Sequence, residues 1–243
     1  MARCLIGMIH TIPVNLFMKE YIELNQKLKK LIPEEYVKGI HLSVLFALFH
    51  NQGTLNEMNA FRLVHDHPEM ELNIQTILLL YDAMTKGTER EGDGFRKKNG
   101  YVDSKEFFFI PVPAEQTLEE MEKLCGRYAH LNHPSGEAFD DIFRFLLEFA
   151  CIHPMEDGNG RLSAFLVEML LRKAGLSMAP FLPMDIVVGK LHGQQYMRQV
   201  IRAAGSYYGQ KPYEYDGFVR FARMVLEESY QVTIQACEKY IAM

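Results

Sequence analysis

The sequence predicts a mainly α-helical fold carrying one short β-hairpin, and three observations predict it. Apolar residues recur at three- and four-residue steps over most of the 243 residues, the spacing of a buried helical stripe. That period disappears over residues 89–113, where glycines punctuate two short β-prone runs. Hydrophobic residues make up 48% and charged residues 23% of the chain, ordinary values for a globular protein that exclude whole-chain disorder, collagen and continuous coiled coil. A chain of this length buries enough surface to fold without disulfides or a structural metal.

Taken in order, Val37, Ile40, Val44, Leu45 and Leu48 follow the 3.6-residue period and predict a core helix. Gly87, Gly92, Gly94 and Gly100 then interrupt the pattern, and Tyr101-Val102 and Phe107 to Ile110 flank the polar residues 103–106 as the arms of a hairpin. Leu118, Met121, Leu124, Tyr128 and Leu131 form the next stripe. Phe139, Ile142, Phe143, Leu146, Phe149 and Ala150 form another, which continues to His153 and turns the imidazole inward. Pro154 lacks a backbone donor and disfavours helix at the residue before it, so this helix ends at His153. Leu162, Phe165, Leu166, Met169 and Leu170 start a partner helix, with Glu168, Arg172 and Lys173 opposite and Gly175 as its stop. Phe218, Phe221, Ala222, Val225 and Leu226 predict a long final helix after a tyrosine-rich stretch. The chain has room for about eight helices.

Lys and Arg number 26 against 31 Asp and Glu, a formal charge of −5, which offers no general attraction to a phosphate backbone and argues against nucleic acid as partner. Cys4, Cys125, Cys151 and Cys237 lie far apart with no C-x-x-C pair, the usage of reduced thiols in a cytoplasmic protein, and zinc is unsupported. The apolar run over residues 4–9 is too short for a signal segment or a bilayer span, so neither export nor a membrane partner is expected.

The chemistry is concentrated in His153-Pro154-Met155-Glu156-Asp157-Gly158-Asn159-Gly160-Arg161. A helix beginning near Arg161 leaves its first N–H groups unpaired and, with its dipole, makes an anion site. Gly158 and Gly160 allow close backbone approach, Asp157 is a hard carboxylate suited to Mg²⁺, Asn159 offers an amide to a phosphate oxygen and Arg161 adds a cation. Together they suit a polyphosphate. His153 reads either as a hydrogen-bonded core histidine or as a general base, being largely neutral at pH 7. Asp157, Asn159 and Glu168 also occupy EF-hand-like places, but Leu162 stands where that loop needs glycine and Arg161 where it needs an oxygen ligand. His65, Asp66 and His67 form a polar cluster expected to be a solvated loop, since no third metal ligand is in view. His130 and His133, beside Pro134, suit a cap or turn.

His153, Asp157, Gly158, Asn159, Gly160 and Arg161 resemble the signature of Fic proteins, His-x-Phe-x-Asp/Glu-Gly-Asn-Gly-Arg-x-x-Arg. The resemblance extends outward to Gly94-Phe95-Arg96, the hairpin and Pro111 to Pro113, and onward to Ala203-Ala204 and the Phe218 helix, with the N-terminal third weaker. It implies a compact Fic-type helical bundle with a hairpin flap, a core over residues 89–243 and an N-terminal helical region over 1–88 packed on it. It also implies an enzyme: a Mg²⁺-dependent adenylyltransferase moving AMP from ATP to a Ser, Thr or Tyr hydroxyl of a protein. On that resemblance His153 is the general base, Asp157 holds Mg²⁺, Gly158, Asn159 and Gly160 form the anion hole and Arg161 steadies the β-phosphate. The flap, with Phe108, Phe109, Ile110 and Pro111, grips the target by strand pairing. Tyr196 reads as a flank for the base or as core.

Two positions depart from the family pattern. Met155 replaces phenylalanine, a change of buried apolar shape that predicts repacking and little else. Ala164 stands where the family has its second arginine, which in related proteins holds the γ-phosphate and is the partner of an inhibitory glutamate. The inhibitory pattern Ser/Thr-x-x-x-Glu-Gly/Asn is missing around residues 50–59, because Thr54 and Glu57 have the wrong spacing. The glutamate switch is therefore expected to be absent, and ATP binding weak or replaced by another nucleotide donor. A nucleotide-binding regulatory protein without catalysis is the alternative from a different class. Phosphoryl transfer is disfavoured, since related proteins that phosphorylate carry lysine at the position of Gly160.

Overall fold

The computed structural model describes residues 14–32, 55–104, 107–134, 138–208 and 213–241. The helix expected around Val37 to Leu48 lies outside them, as does Cys4. Among the described residues there are eight helices of eleven residues or more: α1 (Val14–Leu31), α2 (Leu55–Asp66), α3 (Ile74–Thr85), α4 (Thr117–Arg127), α5 (Phe139–Ile152), α6 (Asn159–Lys173), α7 (Gly193–Tyr208) and α8 (Tyr215–Ile241). The strands β1 (Val102–Ser104) and β2 (Phe107–Phe109) form an antiparallel hairpin in which Val102 faces Phe109 and Ser104 faces Phe107. The chain is thus the mainly helical fold with a hairpin that its periodicity predicts.

The core is organised around α5 and α6. Phe139, Ile142, Phe143 and Phe149 of α5 are buried as expected, but so are Phe145 and Leu147 on other faces. A helix apolar on all sides is a central one, and α4, α6, α7 and α8 all pack against α5. Its one buried charge, Glu148, is satisfied by three side chains: Arg127 of α4 pairs with it, and Tyr128 and Tyr215 each donate to Oε1 at 2.6 Å. Leu118, expected in the α4 stripe, is 51% exposed in the first turn of that helix.

In α6 the stripe is buried as expected, while Glu168 is not on an open face: it is 1% exposed. Gly175 at φ 92° closes the helix, with Gly175 N–H donating to Arg172 O and Leu176 N–H to Leu171 O, the paired bonds of a Schellman stop. The helices α2 and α3 pack on α6 from one side, and α1 lies along α8. Met184–Ile186 is a helical turn that runs into a π-helix, Val187–Leu191, before α7. No helix among the described residues is long and apolar enough to cross a membrane.

Candidate active site

The loop between α5 and α6 is shaped by backbone geometry. His153 caps α5, its N–H donating to Phe149 O at 3.0 Å. It stands at φ 53° and ψ 61° and, among the described residues, is the one non-glycine with positive φ, a conformation that costs an L-residue about 1–2 kcal/mol. Met155 is fully buried, as the repacking argument expects. Asn159 then clamps the loop: its Oδ1 accepts from Met155 N–H at 2.9 Å and its Nδ2 donates to Met155 O at 2.8 Å. The side-chain amide expected to meet phosphate is therefore engaged within the loop, which leaves the Asn159 backbone N–H as its contribution to an anion site.

Gly158 is the N-cap of α6 at φ 82°. A Cβ there would lie 3.4 Å from Arg161 Nη2 and 3.5 Å from Met84 Cε, whereas one on Gly160 would meet nothing within 4 Å. The first intrahelical bond is from Leu162 N–H to Gly158 O at 2.9 Å, so the N–H groups of Asn159, Gly160 and Arg161 precede the helical ladder. The end of α6 presents a turn of donors, with the dipole behind them, to the open space above Gly160.

His153 is mostly buried. Burial is the main force lowering its pKa to about 4, the Arg96 cation adds to it, and a hydrogen bond at the Ala150 backbone and the Asp157 carboxylate act the other way. The ring is consequently neutral at physiological pH, the state a base requires. Phe109 of the flap packs edge-on against it, with ring centroids 6.0 Å apart and planes at 87°.

The flap residues divide by face. Phe108 and Ile110 are each 57% exposed, while Phe109 at 7% and Pro111 turn inward. Strand alternation sets Phe108 outward and Phe109 inward, where Phe109 packs against the histidine. The inward strand β2 packs against α7.

Arg161 reaches two carboxylates. Its Nη1 donates to Glu57 Oε1 at 2.9 Å and its Nη2 to Asp157 Oδ2 at 3.0 Å. Glu57 sits in the first turn of α2, and the packing of α2 on α6 brings it there. Sequence spacing gives no sign of a contact separated by 104 residues. Thr54 lies outside the described residues.

Beside the start of α6 is a largely apolar cavity of about 270 Å³, walled by Phe143, Leu146, Gly160, Ala164, Tyr196 and Phe221. Tyr196 lines the cavity, and its ring packs 6.1 Å from Phe218 and 6.4 Å from Phe221. Burial pushes its hydroxyl up to about 12. Glu168 also borders the cavity; burial, with Asp185 adding to it and Arg172 opposing, raises its pKa well above the carboxylate range.

Among the described residues no three His, Cys, Asp or Glu side chains gather as a metal cage. Asp157 is a single carboxylate, 71% exposed, at the mouth of the anion site. That donor set fits Mg²⁺ in the mode in which one or two carboxylates hold it and phosphates and water complete its shell. The cluster at residues 65–67 is not a loop: His65 and Asp66 end α2, His65 stacks on Phe61 at 6.3 Å, and His67 pairs with Glu69 at 3.0 Å. His133 caps the 3₁₀ turn Ala129–Asn132, and His130 Nε2 lies 2.8 Å from Asp141.

Residues 71–171 match the family model described as Fic/DOC family. The fold is similar to that of a Fic family protein from Desulfovibrio desulfuricans G20, at a TM-score of 0.60 and 16% identity over 93% of this chain and 67% of the other. It is also similar to a Fic domain containing signaling protein from Bacteroides thetaiotaomicron VPI-5482, at 0.54 and 18% over 93% and 91%. Comparison with curated proteins gives no match.

Proposed function

We propose, from the match of residues 71–171 to the Fic/DOC family, whose members transfer nucleotide monophosphates to proteins, that this chain is a Mg²⁺-dependent protein adenylyltransferase using ATP. The observation that carries this reading is a neutral, mostly buried imidazole at His153, at the head of the loop that leads to the donor-lined start of α6. On this reading the N–H groups of Gly158, Asn159 and Gly160 receive the phosphate oxygens, where preorganised donors stabilise charge that grows during transfer. The base of the nucleotide enters the cavity beside Ala164, against Tyr196. His153 takes the proton of a Ser, Thr or Tyr hydroxyl on the target; that oxygen bonds to the α-phosphorus, and the bond to pyrophosphate breaks. Asp157 would hold Mg²⁺, which when bound supplies charge neutralisation on the phosphates. Arg161 must exchange at least one of its carboxylates for phosphate. The outer edge of the flap, with Phe108 and Ile110 facing out, aligns the target segment by backbone pairing.

The test is to incubate the protein with ATP, Mg²⁺ and candidate target proteins and to look by mass spectrometry for an AMP adduct. His153→Ala should abolish it, and undiminished labelling by that variant would remove the general-base role. Ala164 and the double hold on Arg161 favour a second reading, nucleotide binding without turnover or with a donor other than ATP. Calorimetry that shows binding across several nucleotides, with no adduct on any target, selects it.

A further inference from the structure

The geometry points to Arg96 as the positioning residue that locks the backbone of His153 and ties it to the base of the flap. This role rests on the catalytic reading of His153 given above. Arg96 lies in the irregular stretch before β1 and is 6% exposed. Its Nε donates to His153 O at 2.8 Å, its Nη2 to Ile152 O at 3.4 Å and to Val112 O, and its Nη1 to Lys98 O at 3.3 Å. Its backbone N–H donates to Pro154 O at 2.9 Å. Three successive carbonyls, 152 to 154, are therefore bound by one residue.

The consequence is conformational. The φ and ψ of His153 are set by the two peptide planes on either side of its Cα, and the carbonyls of both planes, Ile152 O and His153 O, point to the same guanidinium. A left-handed residue other than glycine persists only where its surroundings over-determine it, and this fork does so. The bond to Val112 O extends the hold to the chain leaving β2, the strand whose Phe109 packs on the His153 ring. A lysine cannot reproduce it, because an ammonium lacks the planar, rigid spread of five donors.

The test uses Arg96→Lys, which keeps the charge and removes the fork, and follows the His153 imidazole by NMR in the free protein. The charged groups acting on that ring are Arg96 and Asp157, so with charge conserved at position 96 a change in titration reports position. In Arg96→Lys the midpoint should rise from about 4 toward the ordinary histidine range, and the contact between the Phe109 and His153 rings should weaken. Where transfer is measurable, kcat should fall about ten- to a hundredfold with the nucleotide KM little changed, as expected for misplacement of a reacting group. Unchanged titration and ring contact in a folded Arg96→Lys protein overturn the proposal. If that variant does not fold, Arg96→Gln is read by the contact between the Phe109 and His153 rings alone, because loss of the cation by itself raises the midpoint; an unchanged contact there, or failure of both variants to fold, overturns a local role. A wild-type protein without transfer activity would count against the proposed function alone, since the NMR result judges Arg96 independently.

Discussion

Arg161 Nη1 and Glu57 Oε1 are 2.9 Å apart, so the first turn of α2 closes on the first turn of α6 across the entrance to the anion site. The guanidinium is 48% exposed and the carboxylate 15%. Water screens such a pair, and its worth is about 0.2–1 kcal/mol. On the proposed reading Glu57→Ala releases Arg161 toward phosphate and tightens MgATP binding by up to about fivefold in calorimetry. Weaker binding in this variant would mean that Glu57 supports the site.

The depressed pKa of His153 has two consequences with pH. Folding holds the ring neutral down to about 4, whereas the unfolded chain takes up the proton near 6.5. The unfolded state therefore binds more protons between these values, and stability falls as pH drops from 6.5 to 4. The contribution is at most about 3 kcal/mol, and His153→Phe should flatten that part of the melting-temperature profile. Transfer activity should keep its acid limb near pH 4; a limb at 6.5 would place the ring in water.

Glu168 has the opposite sign. Its pKa is raised in the folded state by burial, so its contribution is fully present below the unfolded value near 4.5 and is lost as pH rises through the folded value. Glu168→Gln removes the ionisation while keeping the shape. Its melting temperature relative to the wild type should improve progressively as pH increases above 4.5, and a constant difference would show that the carboxyl does not ionise against a burial penalty.

Gly158→Ala tests the corner of the loop. At φ 82° an alanine is strained by about 1–2 kcal/mol, and its Cβ would lie 3.4 Å from Arg161 Nη2. Thermal melting should fall accordingly, and nucleotide binding should weaken because the first donors of α6 turn away. Full retention of both would show that the loop does not depend on the left-handed corner.

Much of this molecule is local, and local features were legible. The stop at Pro154, the Gly175 helix end, the hairpin arms and the buried faces of α6 and α8 follow from spacing and backbone chemistry within a few residues. The candidate loop was legible for the same reason, since a helix start, two glycines and a carboxylate need no distant partner to be read. The burial of Glu168, opposite the apolar stripe, is not legible in the sequence, because a helix wheel shows which residues share a face but not whether another element covers it. That Phe109 turns inward is not legible in the sequence, because strand alternation identifies two faces without saying which one meets the core.

By itself, the sequence determined α4, α5, α6 and α8, the hairpin and the order of groups from His153 to Arg161, because each depends on interactions between near neighbours. The tertiary structure alone decided that Glu57 meets Arg161, that Phe109 buttresses the imidazole and that Arg96 binds three carbonyls of the loop. Those contacts join residues tens to a hundred positions apart. They exist only once apolar faces have packed α2 on α6 and β2 on α7, because packing sets distances that no periodicity encodes.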